Sequence, residues 1–409
     1  MSVSHEPKTH FVCRICQKDI LSSHNLPDRP VVNNLREIDS EPERHYPMTI
    51  YWCEHCLFLQ LKHDIDRKEF YTSYATPSSW KFEPHMEELI ERYFVGEGDF
   101  VDESVIDIGS NDGKLLVRLS ELGRKNILGV EPSWDAMTIA STIQCNVISD
   151  YFSLELAETI LQMYGKFTTI ISRHVLEHVE DLHDFVKGIA VLSSDKTRIL
   201  IEVPDCATFF EENDFAFWEE HVNYFSKRNL IDLFGRFGFK CVNWQSFVYS
   251  GRAQLVEFRY YGLKANPQTR DVTKDKTLDF SMEKITSNIL QTSREFLFFR
   301  NTLKAKNASV VLFGVGCRSV GTLYTFDAIG SIDYFVDSNP KKCGKRVPGT
   351  AKMIQAESIL AELSGDEVVL LGVGLEHERK VIEKIGKRFS KIYSMLSPSP
   401  ILWNTIEVK

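Results

Sequence analysis

A pair of cysteine knuckles, Cys13-Arg-Ile-Cys16 and Cys53-Glu-His-Cys56, restricts this chain more than any other feature. A two-residue gap lets both thiolates of a knuckle reach one ion, and two knuckles complete the tetrahedral four-sulfur shell that zinc favours. The chain between them must then close on one point. A small N-terminal fold stapled by structural zinc on Cys13, Cys16, Cys53 and Cys56 is expected. A redox role for a single CxxC competes, but four thiolates leave no open position and the knuckles come as a pair. His55, inside the second knuckle, is expected to be a bystander. Nine cysteines in all is an odd number, and those outside the knuckles are scattered. That distribution fits metal ligation in a reducing compartment better than a disulfide framework.

Past the knuckles, residues 70–80 are rich in aromatic and hydroxyl groups, suiting either a linker whose rings pack on a neighbour or a lid over a substrate. Residues 81–94 carry the spacing of an amphipathic helix. Ser104-Val-Ile-Asp-Ile-Gly-Ser-Asn-Asp-Gly-Lys then predicts a buried strand, a turn at Gly109 and Gly113, and a helix. Small residues let the backbone approach a ligand, and a helix start offers unpaired N–H groups. A second strand ends at Glu131, about 20 residues past the turn, where an acid can accept from ribose hydroxyls. A third strand from Asn146 runs into Asp150, Tyr151 and Phe152, a carboxylate and rings suited to an adenine. A fourth, residues 167–172, leads to Arg173-His-Val-Leu-Glu-His178. There His174 is expected nearest the ligand and His178 is expected to be structural.

Residues 198–204 make a fifth strand, and ligands in open α/β sheets lie beyond the strands' carboxyl ends. The chain leaving that strand reaches Phe217-Trp-Glu-Glu-His-Val-Asn-Tyr-Phe-Ser226, two carboxylates, an imidazole, an indole and a phenol within one short segment. His221 is the natural base there, with Glu220 as its orienter, Tyr224 and Phe225 as packing, and Glu219 in solvent. Ser226 is a plausible N-cap for a helix over 227–237. Strands near 239–249 and 253–260 should pair across residues 250–252.

Residues 264–279 are polar, and residues 280–306 predict one long helix. Val310-Val-Leu-Phe-Gly-Val-Gly-Cys-Arg-Ser-Val-Gly321 repeats the strand, glycine turn and helix theme, with a strand at 332–337 to follow. A second Rossmann-like unit is expected. Arg318 in that turn offers a planar fork of donors to a pyrophosphate, while Lys341 and Lys342 suit ordinary surface cations. Arg252, Gly314, Gly316 and Arg318 are therefore the substrate-side candidates.

A net charge of -9 and a pI near 5.8 argue against coating nucleic acid or an anionic membrane. The polar N-terminus lacks a signal-peptide core and no apolar run is long enough for a bilayer, so a cytoplasmic location is expected. The fold class that follows is α/β. Its expected parts are a zinc-binding domain at 1–75, a nucleotide-binding domain at 76–262, a linker and long helix at 263–307, and a second Rossmann-like domain at 308–409.

The order of strand, glycine turn, acid, acid and post-strand-four motif resembles class I S-adenosylmethionine-dependent methyltransferases, with IDIGSNDG and SRHVLEHV standing for the first and fourth motifs. A nicotinamide-binding fold is the rival, but its GxGxxG is absent. On this resemblance the methyl-donor candidates are Asp107, Gly109, Asn111, Gly113, Glu131, Asp150, Tyr151, Phe152 and His174.

The full series of zinc knuckles, methyltransferase core, EEHVNYFS and VDSNPKKCGKRVPGT resembles the nucleotide-linked deoxysugar C-methyltransferases. That resemblance implies a small-molecule substrate, a nucleotide-linked keto sugar. It also implies that His221 removes the proton beside the ketone, that Glu220 orients or polarises, and that Tyr74 belongs to a lid. His174 and Trp218 complete the catalytic candidates. Trp218 departs from the family's tyrosine, since an indole donates one hydrogen bond but does not exchange protons as a phenol does. GVGCRSVG and LLGVGLEHE depart from its C-terminal motifs. O- or N-methylation of another small molecule and a non-catalytic scaffold stay open as alternatives.

Overall fold

The structure is a computed structural model of the 409-residue chain; it describes residues 11–70, 84–95, 103–133, 146–207, 211–212, 214–262 and 280–405. Tyr74, and with it the candidate lid, lies outside the described residues. So does the whole polar stretch 264–279.

In the N-terminal part, strands β1 (Ser22–Arg29), β2 (Tyr46–Cys53) and β3 (Phe58–Lys62) form an antiparallel sheet. Its fourth strand comes from far down the chain. Asn223–Tyr224 pairs antiparallel with β3, Asn223 opposite Gln60 and Tyr224 opposite Leu59. The EEHVNYFS segment is therefore an edge strand of the zinc unit, its main-chain groups paired there as buried groups require.

The central sheet has seven strands. In chain order these are β4 (Ser104–Ile108), β5 (Asn126–Val130), β6 (Val147–Ile148), β7 (Thr169–Arg173), β8 (Arg198–Pro204), β9 (Phe239–Val248) and β10 (Arg252–Tyr260). They lie in the order β9-β10-β8-β7-β4-β5-β6. The five strands from β8 to β6 pair in parallel, and β10 inserts antiparallel between β8 and β9. Such parallel strands are buried on both faces and read as continuous apolar runs, as Ile199, Leu200 and Ile201 do. The chain order reverses between β4 and β7, which puts a crevice beyond their carboxyl ends. A helix over Leu154–Tyr164 starts at Ser153, whose side chain accepts from Leu156 N, and one over Leu182–Leu192 starts at Asp181, which accepts from Asp184 N. Both flank the sheet.

The C-terminal unit begins with the long helix Met282–Ala305, N-capped by Ser281. Of its aromatic patch, Phe296 and Phe299 are buried and Phe298 is exposed. A parallel five-stranded sheet follows, with Val310–Phe313 at its centre and Tyr334–Asp337 and Val368–Leu371 on either side. This is the second Rossmann-like layer.

The zinc unit is wedged between the other two. Leu26, Met48, Ile50 and Trp52 share one apolar core with Phe217, Ile285 and Leu312. Cys13, Ile15, Tyr51 and Phe58 share another with Phe225, Ile189 and Val203. Arg346 adds a further link: its guanidinium pairs with Glu43 at 3.1 Å, both side chains buried. Among the described residues no helix is long and apolar enough to cross a membrane.

Candidate functional site

The four knuckle cysteines converge as their spacing requires. Cys13 Sγ lies 3.8 Å from Cys56 Sγ, Cys16 Sγ 3.6 Å from Cys53 Sγ, and Cys53 Sγ 3.8 Å from Cys56 Sγ. A tetrahedron with zinc–sulfur bonds of about 2.3 Å puts its sulfurs about 3.8 Å apart, so the residues fit a zinc ion without rearrangement. Gln60 Nε2 approaches Cys13 Sγ, and Asn229 Nδ2 donates to the carbonyl of Cys56. Asn229 also completes the capping box of Ser226 on the helix Lys227–Gly235. One side chain thus joins the zinc knuckle to the end of EEHVNYFS.

The first glycine turn is shaped by backbone geometry that side chains resist. Gly109 has φ +78°, and a Cβ there would stand 2.2 Å from Val175 Cγ2; Asn111 and Gly113 also have positive φ. Glu131 ends β5 and accepts from Asn111 N at 2.9 Å and Ser133 N at 2.8 Å. Burial pushes its carboxyl up, and Asp112 reinforces this. Asp107 is 4% exposed, and burial pushes it up to about 7 despite the favourable field of Arg173. Among the described residues Ser110 Oγ is buried without a partner. Two acids short of countercharge and an unpaired hydroxyl fit a hydroxylated, cation-bearing ligand such as S-adenosylmethionine. Asp150 and Tyr151 are exposed, and Phe152 packs edge-on against Phe185 at 5.1 Å.

At the ends of β7 and β8 sits a dense charge cluster. Glu202, fully buried, accepts from Arg173 Nε at 2.9 Å and from Arg173 NH2 at 3.0 Å, and His85 Nε2 lies 3.1 Å away. His174, at φ +52°, places Nε2 2.9 Å from Glu202 and Nδ1 3.1 Å from Glu177. Burial opposes a charge on His174, but the two carboxylates outweigh it and raise the imidazole to about 10. With both ring nitrogens donating, His174 is a fixed cation, and it has no lone pair left to act as a base.

His221 is the opposite case. Burial holds its imidazole well below the usual range, and the fields of His178, His174 and Arg318 add to this, so it is neutral with a lone pair. Its ring lies 4.8 Å from that of His178 and 4.5 Å from the Trp218 indole. His178 Nδ1 donates to the carbonyl of Glu220 at 2.8 Å, and ligand atoms of Glu177, His178 and His221 lie within 4.8 Å of one another. Glu177 is the residue that sequence reasoning missed here; its place in the HVLEHV turn was the available signal.

Two expectations for this segment meet different surroundings. Glu219 was expected in solvent; it is fully buried. It accepts from Val32 N at 2.5 Å while its carbonyl accepts from His63 Nε2 at 2.7 Å, and burial pushes its carboxyl up to about 7. The zinc unit covers it, which no local pattern could announce. Among the described residues no hydrogen bond joins Glu220 to the His221 ring; its carboxyl meets Asn33, with Oε1 left unpartnered. Tyr224 and Phe225 are buried, and Tyr224 Oη accepts from Trp218 N at 3.1 Å. Arg29, fully buried, donates to the carbonyls of Phe217 and Gly321, tying the segment to the C-terminal unit.

On that side, Arg318 NH2 donates to Asp214 at 2.5 Å and to the carbonyl of Ser397 at 3.0 Å, while NH1 is buried without a partner among the described residues. Arg252 pairs with Glu211 and Glu212. Gly314, at φ +96°, packs its backbone against Gly372 and Val373, and Gly316 caps the helix Cys317–Thr325.

Family models cover these three parts in order. One for a zinc binding domain matches residues 13–71, one for a methyltransferase domain matches 80–243, and one for a C-methyltransferase C-terminal domain matches 274–390. The C-methyltransferase NovU of Streptomyces niveus is 27% identical over 241 residues, 56% of each chain. The alignment thus spans about half the length of that curated relative. Solved structures include a SAM-dependent methyltransferase from Anabaena variabilis, 14% identical, covering 43% of this chain and 83% of that one, with a TM-score of 0.35. Another is a magnesium protoporphyrin IX methyltransferase from Synechocystis with bound SAH, 18% identical, covering 43% and 84%, with a TM-score of 0.34. At such scores the sheet order of this chain, and not superposition, carries the fold assignment.

Proposed function

We propose that this chain, which belongs to the C-methyltransferases built of a zinc-binding, a methyltransferase and a C-terminal domain, methylates a carbon beside the ketone of a nucleotide-linked sugar. The observation that carries this reading is the partly buried His221, its ring 4.8 Å from that of His178, kept neutral by desolvation and by the field of His174, which two carboxylates hold as a cation.

S-adenosylmethionine, when bound, supplies an electrophilic methyl group. In this reading Glu131 accepts from ribose hydroxyls and Asp107 faces the positive charge, while Gly109 and Gly113 keep the turn low enough for close approach. His221 takes the proton from the carbon next to the carbonyl, which is acidified because the developing charge delocalises onto oxygen. A low folded pKa keeps His221 unprotonated and ready at neutral pH, and the charge on His174 favours the anion that forms nearby. The zinc unit holds the backbone of residues 217–224 in place, and positioning of that kind accounts for much of a two-reactant rate.

Calorimetry with S-adenosylhomocysteine, followed by methyl transfer from labelled cofactor to a panel of nucleotide-linked keto sugars, tests the reading. His221→Asn is expected to keep cofactor affinity and lose about two orders of magnitude or more in turnover. Undiminished turnover would remove His221 from the chemistry. Transfer to oxygen or nitrogen acceptors alone would replace the carbon-acid reading.

A further inference from the structure

The buried polar atoms near His221 that have no hydrogen-bond partner among the described residues include Trp218 Nε1 and Glu177 Oε2. Buried polar groups are nearly always satisfied, and leaving one unpaired costs the full desolvation of the group. These two differ in kind. An indole can only donate, and an ionised carboxylate can only accept. The other oxygen of Glu177 is already bonded to His174 Nδ1 at 3.1 Å.

Both groups are held firmly. Trp218 N donates to Tyr224 Oη at 3.1 Å, Trp218 O accepts from His221 N at 3.0 Å, and the carbonyl of Phe217 accepts from the buried Arg29. The indole ring is tilted 54° to the His221 ring at 4.5 Å between centroids. Glu177, 1% exposed, has its carboxylate within 4.8 Å of the ligand nitrogens of His178 and His221. One donor and one acceptor thus flank one base, and neither is used by the protein itself.

We propose that the acceptor molecule is a hydroxy ketone whose carbonyl oxygen takes the Trp218 indole N–H and whose hydroxyl donates to Glu177. This rests on the reading of His221 as the base and deepens it by naming the groups the acceptor must carry. When the C–H bond beside the carbonyl breaks, its proton passes to His221 and the electron pair moves onto the carbonyl oxygen. The indole stabilises that charge by a hydrogen bond and transfers no proton, so the enolate forms without a phenol. Tryptophan at this position is then a working donor of a different kind.

The test is Trp218→Phe, which keeps a ring and removes the N–H. Solvent-deuterium exchange at the carbon beside the carbonyl is followed with S-adenosylhomocysteine bound, together with zinc content and S-adenosylhomocysteine affinity to establish that the variant is folded. Exchange at saturating acceptor is expected to fall about 100-fold, as loss of one oxyanion donor does. Binding of the analogue whose carbonyl is reduced to an alcohol should weaken by only about 2- to 10-fold, the worth of one neutral hydrogen bond. In the native protein, an acceptor lacking the neighbouring hydroxyl should bind at least about tenfold more weakly. Trp218→Phe exchanging at the native rate would overturn the inference while leaving His221 in place. No exchange by the native protein with any hydroxy ketone would sink the reading of His221 and the inference with it. Exchange that requires an added divalent cation would place a metal on Glu177, His178 and His221 and overturn the proposal.

Discussion

The chain uses the same glycine-turn device twice, and the two copies differ in what surrounds them. In the first, Gly109 N donates to Val130 O at 2.7 Å, and Glu131 accepts from Asn111 N and Ser133 N. In the second, Gly314 N donates to Val336 O at 2.8 Å, and Asp337 accepts from Val315 N at 2.9 Å and Asn339 N at 2.8 Å. The backbone logic is identical: an acid at the end of the second strand satisfies amides that the turn leaves unpaired. The charges are not. Lys342 Nζ lies 3.3 Å from Asp337 and donates to the carbonyl of Val315, neutralising the second acid. No cation pairs with Glu131 among the described residues. Two positions before the glycine, the first strand has the buried acid Asp107 and the second has the buried Leu312. A glycine turn is thus a scaffold, and the charge balance around it is what differs between the two copies.

Asp107 offers the sharpest way to break that comparison. Its native carboxyl, raised to about 7, holds a proton that the unfolded chain, with an ordinary value near 4, has released. Stability is therefore fullest below about pH 4 as far as this group is concerned, and falls as pH rises toward about 7. The loss amounts to at most about 4 kcal/mol. Urea unfolding across that window should show a shallower decline for Asp107→Asn; an unchanged slope would mean that Asp107 is not the group responsible. The second turn, with Leu312, has no such contribution to lose.

Next is the backbone itself. Alanine at Gly109 combines a left-handed φ with a 2.2 Å approach to Val175, and alanine at Gly314 combines φ +96° with a 2.6 Å approach to Val373 Cγ1. Strain of about 1–3 kcal/mol plus overpacking of similar size predicts losses of roughly 2–6 kcal/mol for each, with Gly109→Ala the larger. Denaturation midpoints of the two variants measure this. Tolerance of either alanine would show that its turn can relax.

The smallest effect separates the two acids by function. Glu131→Gln should weaken S-adenosylhomocysteine binding by about 10- to 100-fold, the worth of a hydrogen bond to a charged group. Asp337→Asn should leave that affinity within about twofold, because its lysine-paired carboxylate belongs to the other turn. Calorimetry on both variants decides it, and equal losses would erase the distinction.

Sequence alone determined the elements whose cause is local. Thiolate spacing set the zinc tetrad, positive-φ glycines set the two turns, and apolar runs bounded by those turns set the parallel strands. Ser226 and Ser281 announced the starts of their helices because a cap acts within three residues. Each of these can be read within a short window of sequence.

What the tertiary structure decided was the environment of the reactive groups. Glu219 is buried because Val32, 187 residues away, donates to it beneath the zinc unit. His174 is held as a cation and His221 is kept neutral because desolvation and the placement of Glu177, Glu202 and Arg318 differ between two otherwise similar rings. Asn223 and Tyr224 became an edge strand because β3 offered unpaired amides there. Residue types limit which chemistry is available. Protonation state and orientation depend on desolvation and on distant charges, and only folding brings those together.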